Sequence, residues 1–173
     1  GVSTPAANAL WREIGLLGAE IRTAAPLLVK SCPATLPLQP TAGVWVRSLL
    51  VGSDTLVLLA VNDQYYNDQT GCHYTPVSNA TVAVTLPTWL QLPTAFEITA
   101  GGLKDVSTQS NGSQLQLNLG TLNVTRMIVV TKNAQLRTTL QRRHDQQVQP
   151  GICALAPEFC TTNAPAITQQ PSN

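Results

Sequence analysis

The chain carries two hydrophobic periods, and the change from one to the other comes near residue 42. Over residues 5–28, Leu10, Ile14, Leu17, Ile21 and Leu28 fall on one helical stripe, with Ala24 or Ala25 filling its gap. Trp11 flanks that stripe, while Glu13, Glu20 and Arg22 lie away from it. Ser3 or Thr4 can cap the first turn, and Pro5 suits the first helical position. Pro26 predicts a bend or an end near Ala25. A lone helix of this length is marginal in water, so the stripe must lie on something. That support is either the sheet that follows or a neighbouring domain.

Beyond residue 42 the period shortens to that of strands. Segments 44–49 and 55–61 flank Gly52-Ser53-Asp54, a hairpin signal. In 81–86, Val82, Val84 and Leu86 share a face; in 94–99, Phe96 and Ile98 point inward. A short segment at 103–106 follows Gly101-Gly102. Leu115, Leu117 and Leu119 then alternate with Gln114, Gln116 and Asn118, the clearest period-two run in the chain. Segment 126–131 is continuously apolar, which predicts a central strand or one covered on both faces. Strands spaced about ten residues apart predict a mainly β chain: a two-layer antiparallel β-sandwich preceded by an amphipathic α-helix.

This divides the sequence into a helix at 1–30, packed on the sandwich or on a missing neighbour, and a Pro-rich connector at 31–42. The sandwich takes 43–132 and a terminal segment takes 133–173, with a short helix over 134–146 on Leu136 and Leu140 and a polar tail from Gln147.

Composition narrows the function. Charged residues make up 11% of the chain, against roughly 25% for an ordinary soluble domain. The net charge of +1 comes with scattered basic residues, whereas a nucleic-acid surface needs several on one face. Nucleic acid is therefore not an expected partner, and no apolar run is long enough to cross a membrane. Cys32, Cys72, Cys153 and Cys160 are spaced too widely for a zinc site, so disulfides are expected and no metal or other cofactor. Proximity suggests Cys153–Cys160, which leaves Cys32–Cys72, though three pairings exist. Sequons at Asn79-Ala80-Thr81, Asn111-Gly112-Ser113 and Asn123-Val124-Thr125 fall at expected strand boundaries or turns, where glycans face water. Disulfides and sequons together point to a secreted or extracellular protein.

The polar excursion at 62–79 holds the candidate chemistry. Tyr65, Tyr66, Asp68, His73 and Tyr74 join flat aromatic faces to polar groups, and Trp89 on a rigid turn extends the platform. Sugars are bound by such means, and these six residues are the candidate ligand set. The alternative is that the tyrosines close one end of the sandwich. Asp63 and Asp68 form a glycosidase pair only if about 5–9.5 Å apart in a cleft. With Asn67 they can ligate calcium, but the order of an EF-hand loop is missing. Cys72 beside His73 is a poor nucleophile pair, and no nucleophile elbow or phosphate loop occurs. Trp45 reads as an anchor, with Arg47 on its face and the N-terminal helix a candidate cover.

The order of parts resembles a known family. Trp11-Arg12-Glu13-Ile14-Gly15-Leu16-Leu17-Gly18-Ala19-Glu20-Ile21 and Ala25-Pro26-Leu27-Leu28 lead through the connector to Val44-Trp45-Val46-Arg47. Leu56-Val57-Leu58-Leu59-Ala60-Val61-Asn62, Val82-Ala83-Val84-Thr85-Leu86 and a hairpin over 115–130 follow. Over about residues 8–131 this is similar to the last barrel helix and C-terminal β-sandwich of multidomain glycoside hydrolases. In those enzymes the barrel holds the catalytic carboxylates and the sandwich is an accessory layer. The resemblance implies a non-catalytic accessory domain whose partner is a neighbouring catalytic domain or another chain of the same protein. Two departures from the pattern are the cysteine-bearing insertion at 62–79 and the Cys153–Cys160 tail. A carbohydrate-binding module using the loop aromatics is the alternative function, and an autonomous glycoside hydrolase the second.

Overall fold

The computed structural model describes residues 4–91 and 93–160. Helix α1 runs Pro5–Leu28, with the Thr4 hydroxyl accepting from the Ala7 N–H at 3.2 Å and Pro5 in the first turn. Pro26 does not end it. A proline here leaves the carbonyl of Arg22 without its helical donor. The Arg143 Nε donates to that carbonyl at 3.0 Å, so the tertiary structure replaces the missing bond.

Among the described residues twelve strands follow: β1 Ser31–Ala34, β2 Leu38–Pro40, β3 Val44–Val51, β4 Thr55–Asn62, β5 Tyr65–Asp68 and β6 Gly71–Tyr74, then β7 Val77–Thr85, β8 Thr94–Thr99, β9 Gly102–Asp105, β10 Ser107–Asn111, β11 Gln114–Leu122 and β12 Thr125–Thr131. They form a six-stranded sheet ordered β1-β3-β4-β12-β8-β9, a four-stranded sheet ordered β10-β11-β7-β2, and a separate β5-β6 ribbon. The expected antiparallel sandwich, mainly β and preceded by a helix, is the observed architecture. The connector is more ordered than its prolines suggest. It supplies β1 to one sheet and β2 to the other, with Pro33 and Pro40 on edge strands, where a missing N–H costs nothing.

Alternation places the core. Leu56, Leu58, Ile128 and Val130 of the larger sheet meet Val82, Val84, Leu115 and Leu117 of the smaller. The intervening residues Val57, Met127 and Val129 face the other way, into a second core with Ala24 and Leu27 of α1. Strand β12 is thus central and covered on both faces, as its continuous apolar run requires. Phe96 and Ile98 are buried, but against the helices and not between the sheets.

The segment after β12 is more helical than its sequence suggests. Helix α2 spans Leu136–Arg143, a π turn spans His144–Val148, and α3 spans Gln149–Leu155. Val148 and Ile152 pack with Leu16 and Ala19 of α1. Their spacing of four residues is too short a signal to reveal a helix containing Pro150 and Gly151. The tail expected at 161–173 lies outside the described residues.

Candidate functional site

Among the described residues, two regions hold most of the large apolar or aromatic groups that face solvent. The first is α1 with the adjoining face of the larger sheet. Leu16, Ala19, Thr23, Ala24 and Leu27 turn inward, and Thr23 donates its hydroxyl to the Ala19 carbonyl at 2.9 Å. Of the predicted stripe, whose support is either the sandwich or a neighbouring domain, Leu28 is half-buried against the sheet, while Leu10, Ile14, Leu17 and Ile21, with the flanking Trp11, are 46–67% exposed. The choice follows from size. Alanines and threonine let the helix axis approach the sheet, and the bulkier stripe is left outside.

Beside that stripe, Leu17, Ile21 and Leu28 border a groove of about 350 Å³ whose floor is Leu59, Val61 and Met127. Trp45 lies on the same side of the sheet, its strand position opposite Val61, and is 47% exposed. Arg47 lies over the Trp45 ring with its guanidinium carbon 4.7 Å from the centroid. The anticipated arginine–tryptophan stack is present, but α1 leaves the ring half open. Glu20 also borders the groove and accepts from the Ala100 N–H at 3.2 Å. Burial pushes its carboxyl above the ordinary range, against the lowering effect of that hydrogen bond.

The second region is the β5–β6 ribbon. Its base is fixed by Asn62, buried at the end of β4. The Asn62 Nδ2 donates to the carbonyls of Thr75 at 2.9 Å and Asn123 at 2.8 Å, and its Oδ1 accepts from the Gln64 N–H at 2.7 Å. Sequence reasoning passed over Asn62; the only available signal was an amide ending an otherwise apolar strand. Register then sets the faces. Tyr65 stands opposite Tyr74, ring centroids 6.0 Å apart, and Tyr66 opposite His73, stacked at 4.9 Å. Consecutive residues point to opposite faces, so these are two separate aromatic pairs. At the tip, Asp68 Oδ1 accepts from the Thr70 hydroxyl at 2.6 Å and N–H at 2.7 Å, and lies 3.0 Å from His73 Nε2. The two Thr70 bonds, then His73, hold the Asp68 carboxyl below the usual range.

That shift opposes what a general acid needs. Asp63 precedes β5 and Asp68 ends it, both exposed, with an extended strand of about 10 Å between Tyr65 and Asp68 alone. They do not form a carboxylate pair facing across a cleft. Nor does Trp89 extend the aromatic set. It lies in a 3₁₀ turn, Thr88–Leu90, whose carbonyl at Trp89 accepts from Lys132 Nζ just past the end of β12. Residue Thr131 pairs with Thr55, whereas the ribbon springs from Asn62, so about 23 Å of β4 separates them. The expected four-ring platform is not assembled.

The cysteines split. Cys153 and Cys160 form a disulfide with their Cα atoms 5.3 Å apart. Cys32 and Cys72 are free and exposed, which corrects the expected second bridge. Cys32 pairs with Leu50 near one end of β3, while the ribbon carrying Cys72 leaves from the end where Val44 meets Asn62. Six residues of strand span about 20 Å, and bridged cysteines need Cα atoms within about 7 Å. Asn111 and Asn123 are exposed and adjoin turns, as expected. Asn79 is exposed too, yet sits inside β7 at an irregular step with φ of 50°, not at a strand boundary.

Among the described residues, no three His, Cys, Asp or Glu side chains gather as metal ligands, and no helix is long and apolar enough to cross a membrane. Every buried side-chain nitrogen or oxygen among them has a hydrogen-bond partner.

No family model matches the chain, and no curated protein matches it in sequence. Among solved structures it is similar to an α-L-fucosidase isoenzyme 2 from Paenibacillus thiaminolyticus, with 14% identity and a TM-score of 0.42 over 56% of this chain. It is also similar to a Paenibacillus sp. cycloisomaltooligosaccharide glucanotransferase, with 9% identity and a TM-score of 0.46 over 58% of this chain. The matches span 15% and 18% of those proteins. This is a weak structural similarity to folds of carbohydrate-active enzymes, and it defines no activity.

Proposed function

We propose that the chain is a non-catalytic accessory module of a secreted, carbohydrate-active multidomain protein, and that it seats a neighbouring folded domain on α1. The observation that carries this reading is the outward stripe of Leu10, Trp11, Ile14, Leu17 and Ile21. Five large side chains at about half exposure leave on the order of 500 Å² of apolar surface, taking roughly 200 Å² for each in full. That matches the largest patches that monomers tolerate and suits one side of an interface between domains. Regular three- and four-residue spacing along a straight face fits a helix of the partner, whose ridges would enter the groove beside Leu17 and Ile21.

The test is hydrogen exchange over residues 10–21, compared between the parent protein and the isolated chain. Strong additional protection in the parent is expected, together with its loss in Leu17→Asp. Equal exchange in the two contexts would remove the docking role.

A second reading rests on Tyr65, Tyr66 and Tyr74, which are 44–58% exposed on a ribbon that projects from the sandwich. Sugar stacking on Tyr66 or Tyr65 gives a carbohydrate-binding module without Trp89. Titration with a glycan panel, read by tyrosine fluorescence and repeated on Tyr66→Ala, separates the two readings. Silence at millimolar sugar sinks this second one.

A further inference from the structure

The two main sheets have four edge strands, and three of them are closed to further pairing. Strand β1 carries Pro33 and β2 carries Pro40, and proline offers no N–H to a new neighbour. Strand β9 carries Lys104 and Asp105, and Arg137 of α2 reaches across to Asp105 at 3.1 Å. Strand β10 has none of these guards. Its sequence, Ser107-Thr108-Gln109-Ser110-Asn111, contains no charge and no proline. It pairs with β11 without a bulge, every residue is exposed, and among the described residues no strand lies on its other side.

We infer that β10 is a pairing edge for a second copy of this chain, joining two four-stranded sheets antiparallel about Gln109. A two-fold axis there sets Gln109 against Gln109 of the second copy, Thr108 against Ser110, and Ser107 against Asn111. The side chains suit that register. Gln109 already stands beside Gln116, so the axis makes a row of four glutamine amides on one face. Such amide ladders reinforce strand pairing. On the other face Thr108 meets a serine hydroxyl, a favourable cross-strand pair. No like charges meet, since the strand has none. Pairing through one five-residue strand is a small contact, so association is weak and reversible.

The experiment is sedimentation over a concentration series, on protein made without N-glycan because Asn111 ends the same strand. Wild-type protein associates. Gln109→Lys and Gln109→Glu each weaken association about tenfold or more, because like charges meet at the axis. Mixing the two variants restores it, since only this register brings residue 109 against itself. Both substitutions are at an exposed position, and a thermal melt matching wild type confirms that they fold. A wild type that stays monomeric to roughly 500 µM overturns the inference. So does failure of the mixture to associate, or association abolished by Leu17→Asp but untouched at Gln109, which would assign it to α1.

Discussion

The outer faces of the two sheets could hardly differ more. On the four-stranded sheet the outward positions include Gln109, Gln114, Gln116, Asn118 and Thr85, polar groups that water satisfies, with only the small Ala83 among them on β7 between Gln116 and Gln39. On the six-stranded sheet the corresponding side is apolar: Val57, Phe96, Ile98 and Val129 lie under α1 and α2, while Trp45 stands half exposed. The first face is finished as it stands. The second is finished only where helices cover it, and α1 carries its own uncovered stripe outward. A surface built of amides asks for no partner, whereas one built of leucine, isoleucine and tryptophan leaves a hydrophobic term unrealised until something covers it.

Truncating the covered part should have the largest effect. Phe96→Ala removes the largest fully buried side chain beneath the helices and should cost about 3–5 kcal/mol in denaturant unfolding. Gln116→Ala, on the polar face, should stay within about 0.5 kcal/mol; equal losses at the two sites would erase the contrast. Next comes Asn62→Ala. It strands the buried Leu122 carbonyl and the part-buried carbonyls of Thr75 and Asn123 at the ribbon base and should cost about 1–3 kcal/mol, with faster amide exchange at Gln64 and Thr75.

Leu17→Asp, on the uncovered stripe, should change the isolated chain by only about 0.5 kcal/mol. A large loss there would mean that the stripe already serves the core. The smallest effect concerns Glu20. Its folded pKa is raised by burial above the ordinary 4.5, so the folded form holds its proton more tightly than the unfolded. Stability from this group is present below 4.5 and is lost as pH rises through the raised value. Glu20→Gln should therefore melt above wild type at neutral pH, and the difference should close on acidification through that window. A difference independent of pH would separate Glu20 from the desolvation of the groove.

Much of the sandwich was legible because period-two alternation is a local property. Leu115, Leu117 and Leu119 had to share a face whatever lay opposite, and each is buried. Strand β10 was not legible, since Ser107–Asn111 has no apolar residue to set a period; it exists because β11 supplies the hydrogen bonds. The ribbon aromatics were found, but their grouping was not. Tyr66 and Tyr65 take opposite faces through strand register, and Trp89 is carried to the other end of β4.

What the sequence by itself determined is therefore the set of amphipathic segments and the residues sharing a face within each, because those follow from backbone periods of two and 3.6. What only the tertiary structure decided is which face turns inward and which distant groups meet. Helix α1 is apolar on more than one side, so its local pattern permits either orientation. The close fit of Ala19, Thr23 and Ala24 chose one and left Leu10, Ile14, Leu17 and Ile21 outside. Cys32 and Cys72 were likewise free to pair on paper, until the length of β3 set them apart.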